Sequence, residues 1–239
     1  MSQPVTEQAA EPAVELHAWP PLDTSTNQII LCVGKKGTGK TFLARLLYRG
    51  WPNVDKICVD INGNADPGET STLITGEPPN KMPARREKDE PVNLHWVADP
   101  SSATYREQLD RVIQVGLFPQ DRRKLIWIDE IGEVTQASHT PPHLRRLLMQ
   151  SRHYNCSVIM CGPRPMNIDT LAIAQADRVI VFRLPAPQDR ERIAVHCGLS
   201  PAEFEVAYAQ LLLMPRNSFL MHISSEDPNE EGLYLCPPV

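Results

Sequence analysis

The chain has 239 residues, 41% of them hydrophobic and 22% charged, with a formal net charge of −5. That length can bury a full core in one large domain, and no apolar run approaches the roughly eighteen residues that predict a membrane helix. The acidic balance argues against a surface coated in basic residues for nucleic acid, while leaving room for a local basic channel.

Residues 1–26 are rich in Pro, Ala, Glu and hydroxyl side chains and predict a flexible arm. The N-terminus has neither a basic start nor an apolar core, so no signal peptide is expected and the cytoplasm is the expected location. Ile29 to Val33 is a short continuous apolar run, the pattern of a strand buried on both faces. A helix is predicted over Thr41–Arg49, closed by Gly50 and Pro52, followed by a strand over Lys56–Ile61 that ends at the turn signal Asn62-Gly63. Residues 62–91 read as one long loop, rich in proline and glycine, with the charged run "KMPARREKDE". Further strands are expected in "VNLHWVA", "KLIWIDE", "SVIMCG" and "RVIVFRL", with helices over 102–115 and in "LRRLLMQSRHY". Strands alternating with helices predict an α/β fold with a mostly parallel sheet flanked by helices. Beyond Leu184, two helices and a terminal hairpin ("SFLMHI" with "GLYLC") are expected to complete the same domain over 185–239, next to a core over 27–184. The six scattered cysteines form no CxxC pair and predict buried reduced thiols rather than a zinc site.

The composition of Gly34-Lys35-Lys36-Gly37-Thr38-Gly39-Lys40-Thr41 follows from phosphate chemistry. It matches GxxxxGK[ST] at every required position, after a strand and before a helix. Several backbone N–H groups must aim inward at a polyphosphate, and glycines let the chain wrap that closely. The helix opening at Thr41 adds its positive end. Lys40 is the predicted catalytic cation on the β- and γ-phosphates, and the Thr41 hydroxyl a predicted Mg2+ ligand. Phe42 in the first helical turn completes the predicted ATP-binding set; Lys35 and Lys36 fill free positions and are expected to be solvated.

Asp129 and Glu130 end the apolar run Leu125–Ile128, at the carboxyl edge where α/β proteins bind ligands. An aspartate there can hold the Mg2+, and a second carboxylate can polarise a water for attack on the γ-phosphate. That pairing favours hydrolysis over transfer to a small-molecule hydroxyl. Two strand candidates lie between Thr41 and Asp129, as in RecA-like P-loop proteins, where another strand separates the two motifs in space.

Four features together resemble the HerA/FtsK superfamily of ring-forming DNA-pumping ATPases. They are "GKKGTGKT", the strand ending in Asp60, "IDE", and the run "LLMQSRHYNCSVIMCGPRPMNID…ADRVIVFRL". The resemblance spans about Ile29 to Leu184. It implies that Arg152, at the end of the helix after the Asp-Glu strand, reaches a neighbouring subunit's nucleotide as a catalytic cation; a helix-capping role is the alternative. Arg145 and Arg146 are alternative fingers or parts of a DNA-facing surface. Pro163 departs from the family's Gln, so γ-phosphate sensing is altered, passed to a neighbour, or aligned elsewhere.

The compact form resembles the genome-packaging ATPases of viruses with internal membranes and jelly-roll capsids. That likeness implies an ATP-driven, homo-oligomeric ring of five or six subunits packaging double-stranded DNA, with a capsid vertex, portal or membrane protein as partner. It places the protein in the host cytoplasm or at the virion's packaging vertex. Lys81, Arg85 and Arg86 are candidate DNA contacts. A cellular HerA-like translocase or helicase, and a phage assembly ATPase like the zonula-occludens-toxin relatives, are the alternatives.

Overall fold

Of the computed structural model, residues 20–85, 90–118, 120–135, 139–227 and 229–239 are described; the first nineteen residues of the expected arm and the DNA-contact candidate Arg86 lie outside them. The continuous apolar runs become the centre of a nine-stranded sheet. In chain order its strands are β1 (Ile29–Val33), β2 (Asp55–Asp60), β3 (Thr72–Thr75), β4 (Asn93–Val97), β5 (Lys124–Asp129), β6 (Cys156–Gly162), β7 (Arg178–Val181), β8 (Phe219–Ile223) and β9 (Gly232–Cys236). Their spatial order is β3-β4-β2-β5-β6-β1-β7-β8-β9, parallel from β3 to β7, with β8 and β9 added antiparallel. β6 therefore separates β1 from β5, the placement that the motif spacing predicts.

Helices cover both faces, so alternate residues of each central strand enter different cores. On one face, α1 (Lys40–Gly50) packs Leu43, Ala44 and Tyr48 against Ile30, Cys32 and Trp127. On the other, α2 (Tyr105–Leu117) and α4 (Pro142–Gln150) pack Leu109, Val112, Ile113, Leu144 and Leu147 against Ile29, Leu31, Val33, Ile126 and Ile128. Between β5 and α4 lies the one-turn α3 (Ile131–Val134), and α5 (Thr170–Ala174) precedes β7. After β7 come α6 (Pro187–His196) and α7 (Pro201–Leu213). Ser200 starts α7 with a reciprocal cap: its hydroxyl accepts from the Glu203 N–H, and the Glu203 carboxylate accepts from the Ser200 N–H. All six cysteines are buried and free.

Two expectations need correction. The long loop over 62–91 contains β3, a short exposed edge strand whose run is closed by a Trp96 indole N–H donating to the Gly76 carbonyl at 2.9 Å. Four residues with little burial leave no hydrophobic signature. The helix expected through Tyr154 ends at Gln150, and Asn155 at φ 54 turns the chain into β6.

Candidate nucleotide site

The phosphate loop leaves the carboxyl end of β1 and feeds α1. Its backbone uses conformations that disfavour side chains: φ is 151 at Gly34, 78 at Gly37 and 112 at Gly39. At Gly34 the constraint is doubled, because a Cβ would stand 2.6 Å from Phe182 Cβ. The Lys40 ammonium donates to the Gly34 carbonyl at 2.6 Å and the Lys35 carbonyl at 3.2 Å, across the loop's mouth. Burial lowers its pKa, opposed by the neighbouring thiols and by Glu130 and Asp129. Lys35, Lys36 and Phe42 are exposed, and the Thr38 hydroxyl donates to the Lys35 carbonyl.

The Thr41 hydroxyl donates to Asp129 Oδ1 at 3.3 Å, which brings the two predicted metal ligands together across β6. Two hard oxygen donors beside a phosphate loop suit Mg2+. Burial raises the Asp129 pKa, aided by Asp60 directly across on β2 and opposed by Thr41, Lys40 and Arg45. Asp60 is fixed in turn: it accepts from the Asn64 and Ala65 N–H groups and lies 3.0 Å from His95 Nε2.

Glu130 follows immediately in a left-handed conformation, φ 84 and ψ 63, unusual for a residue with a Cβ. Its N–H donates to the Cys161 carbonyl at 3.1 Å, which pins this conformation to β6. Burial pushes its carboxyl up to about 7; Lys40 opposes the rise, while Asp129 and Glu133 add to it. A strained residue with a proton affinity near neutrality fits acid–base chemistry.

Arg152 lies elsewhere in the subunit. It is exposed at the amino edge of the sheet, where it lines a groove of about 640 Å³ with Asn27, Gln150, His153, Gln175 and Asp177. β6 separates that edge from the phosphate loop by seven residues, about 20 Å at ~3.3 Å per residue. Arg145 and Arg146 are exposed on α4, and Lys81 is exposed. Arg85 is engaged instead of free for DNA: it pairs at 2.9 Å with Asp55, which is fully buried.

Three site neighbours escaped sequence reasoning. Pro163 contributes no donor, but Asn167 stands at the end of a single 3-10 turn beside Gly132. A Cβ on Gly132 would lie 3.7 Å from Asn167 Cβ and 3.4 Å from Glu130 Oε1. From the far end of the chain, Arg216 donates to the Gly37 carbonyl at 3.1 Å, and Asn217 packs against Gly39. No local motif marks either of the latter two.

Solved structures share this arrangement of elements. The genome packaging NTPase B204 from Sulfolobus turreted icosahedral virus 2, in complex with ATP-gammaS, superposes with a TM-score of 0.64 at 16% identity, over 91% of this chain and all (100%) of that one. The plasmid coupling protein TrwB with ADP and Mg2+ matches at 0.59 and 12% identity, covering 88% of this chain and 84% of its own. The pCW3 conjugation coupling protein TcpA with ATPgS gives 0.53 and 14%, over 89% of this chain and 61% of that one. No curated protein matches the sequence. The family model described as an AAA domain matches residues 23–168, more than half of the chain, and the protein belongs to that family of P-loop ATPases.

Proposed function

We propose that the protein is an ATP-hydrolysing translocase that packages double-stranded viral DNA as a homo-oligomeric ring of five or six subunits at a capsid vertex. The observation that carries this reading is the division of the predicted catalytic groups between opposite edges of one sheet. Lys40, Thr41, Asp129 and Glu130 converge at the carboxyl edge, while Arg152 stands about 20 Å away at the amino edge. An arginine there cannot serve its own phosphates; head-to-tail packing in a ring offers it to a neighbour's.

Within one subunit the loop N–H groups and Lys40 hold the triphosphate, and Thr41 and Asp129 hold Mg2+, which neutralises phosphate charge. Glu130 accepts a proton from the attacking water, and its raised proton affinity suits that task near neutral pH. Asn167, beside Glu130, supplies the polar side chain that Pro163 does not, and reports the γ-phosphate. The likeness to B204, a genome packaging NTPase, supports the packaging assignment. Among the described residues no helix is long and apolar enough to cross a membrane.

Steady-state ATP hydrolysis with and without linear duplex DNA tests the reading. A packaging motor should hydrolyse several-fold faster with duplex; indifference to DNA favours an assembly ATPase.

A further inference from the structure

The phosphate loop is gripped from the side opposite its carboxylates. Asp129 ends β5 and Glu130 follows it, two strands to one side of β1; the segment Pro215–Ser218 leads into β8, two strands to the other. At ~4.8 Å per strand each group sits about 10 Å from the β1 axis. Arg216 donates through Nη2 to the Gly37 carbonyl at 3.1 Å. Asn217, at φ 73, sits so close to the loop that a Cβ on Gly39 would be 3.4 Å from its own Cβ and 3.6 Å from its amide carbon.

This segment is braced rather than loosely draped. Arg183 donates to the Leu212 and Met214 carbonyls at 3.5 and 2.9 Å, while its own carbonyl accepts from the Lys35 N–H at 2.9 Å. The Ser218 N–H closes the turn on the Pro215 carbonyl. Phe182, wedged beneath Gly34 and Gly39, meets Phe219 in a tilted ring contact (centroids 5.3 Å apart, planes at 46°) and joins the two walls.

We infer that Arg216 and Asn217 seat the nucleoside of the bound nucleotide, Arg216 covering the base with its guanidinium plane and Asn217 reading the base edge with its amide. This rests on the nucleotide-site reading above and extends it to base selection. A triphosphate with its γ-end at Glu130 must run its nucleoside the other way, toward β7 and β8. A phosphate loop binds anions through its inward N–H groups, so a guanidinium held on the Gly37 carbonyl sits beside the phosphate cradle and not on its N–H lining. Only one of its five N–H donors is used by that bond, and its planar face suits stacking. The Asn217 side chain makes no hydrogen bond to any described residue, which leaves a donor and an acceptor for a base edge.

The test compares binding of Mg-ATP, Mg-GTP and Mg-tripolyphosphate to the full chain, the last having the phosphates without the nucleoside. Arg216→Ala should weaken ATP about tenfold, within the range of one lost base stack, and leave tripolyphosphate within about twofold. Asn217→Gly, which tolerates the left-handed backbone, should change the ATP-to-GTP preference. Equal losses for ATP and tripolyphosphate, or none for ATP, overturn the inference, as does an unchanged base preference in Asn217→Gly. If Lys40→Ala binds ATP as tightly as the parent protein, it is the underlying nucleotide-site reading that fails.

Discussion

Replacing Glu130 with glutamine should make the protein more stable and nearly inactive, and the stability gain should depend on pH. Burial raises the Glu130 carboxyl from its ordinary 4.5 to about 7, so the folded protein holds this proton more tightly than the unfolded chain does. Stability from the bound proton is fully present below about pH 4.5 and is lost as pH rises through about 7. Glutamine has nearly the same shape and never ionises. Mutant and parent should therefore match in acid and diverge towards neutrality. At 1.36 kcal/mol per pH unit the divergence has a ceiling of about 3 kcal/mol; the carboxyl is partly exposed, and screening reduces it to about 1–2 kcal/mol. For a chain of this size that is roughly 2–8 °C in Tm. Calorimetric scans of both proteins between pH 5 and 8 measure it, alongside ATP turnover, expected to fall by ~10²-fold or more. A Tm difference that is flat with pH would show that Glu130 is not held in a desolvating pocket. Turnover within about threefold of the parent would remove it as the base.

Gly34→Ala should cost about 1–3 kcal/mol in denaturant unfolding, because the new methyl group collides with Phe182 in the core; an unchanged midpoint would mean the loop relaxes freely. Lys40→Ala and Arg152→Ala proteins should each be nearly inactive and recover activity when mixed, since an arginine finger is worth roughly 10³–10⁵ in rate. Recovery absent despite proven subunit exchange would remove the trans role of Arg152. Duplex binding should tolerate any sequence and weaken steeply with salt, as measured by titration at rising ionic strength; a salt-insensitive affinity would contradict phosphate contacts.

Most of the sheet is legible in the sequence because its central strands are buried on both faces, so Ile29–Val33 and Leu125–Ile128 had to be continuous apolar runs. The phosphate loop is legible for a different reason: left-handed backbone and contact with Phe182 demand glycine at fixed spacings. β3 was not, because an exposed edge strand is held by backbone pairing with β4, which any residue can supply. The placement of Arg216 could not be read either, since its contact with Gly37 spans 179 residues and depends on β8 returning beside β7. The same holds for Arg85, whose partner is set by the burial of Asp55 rather than by the charges around it in sequence. Glu130 was marked by its position after a strand, but its proton affinity near 7 arises from burial that only the assembled fold imposes.

The most direct measurement of the central claim is movement along DNA itself. A short third strand bound in the major groove of a linear duplex is released when a translocase passes through it. The account predicts release that requires ATP hydrolysis, fails with Lys40→Ala and Glu130→Gln, and slows in proportion to the duplex length to be crossed. ATP turnover with no release at any duplex length would contradict it.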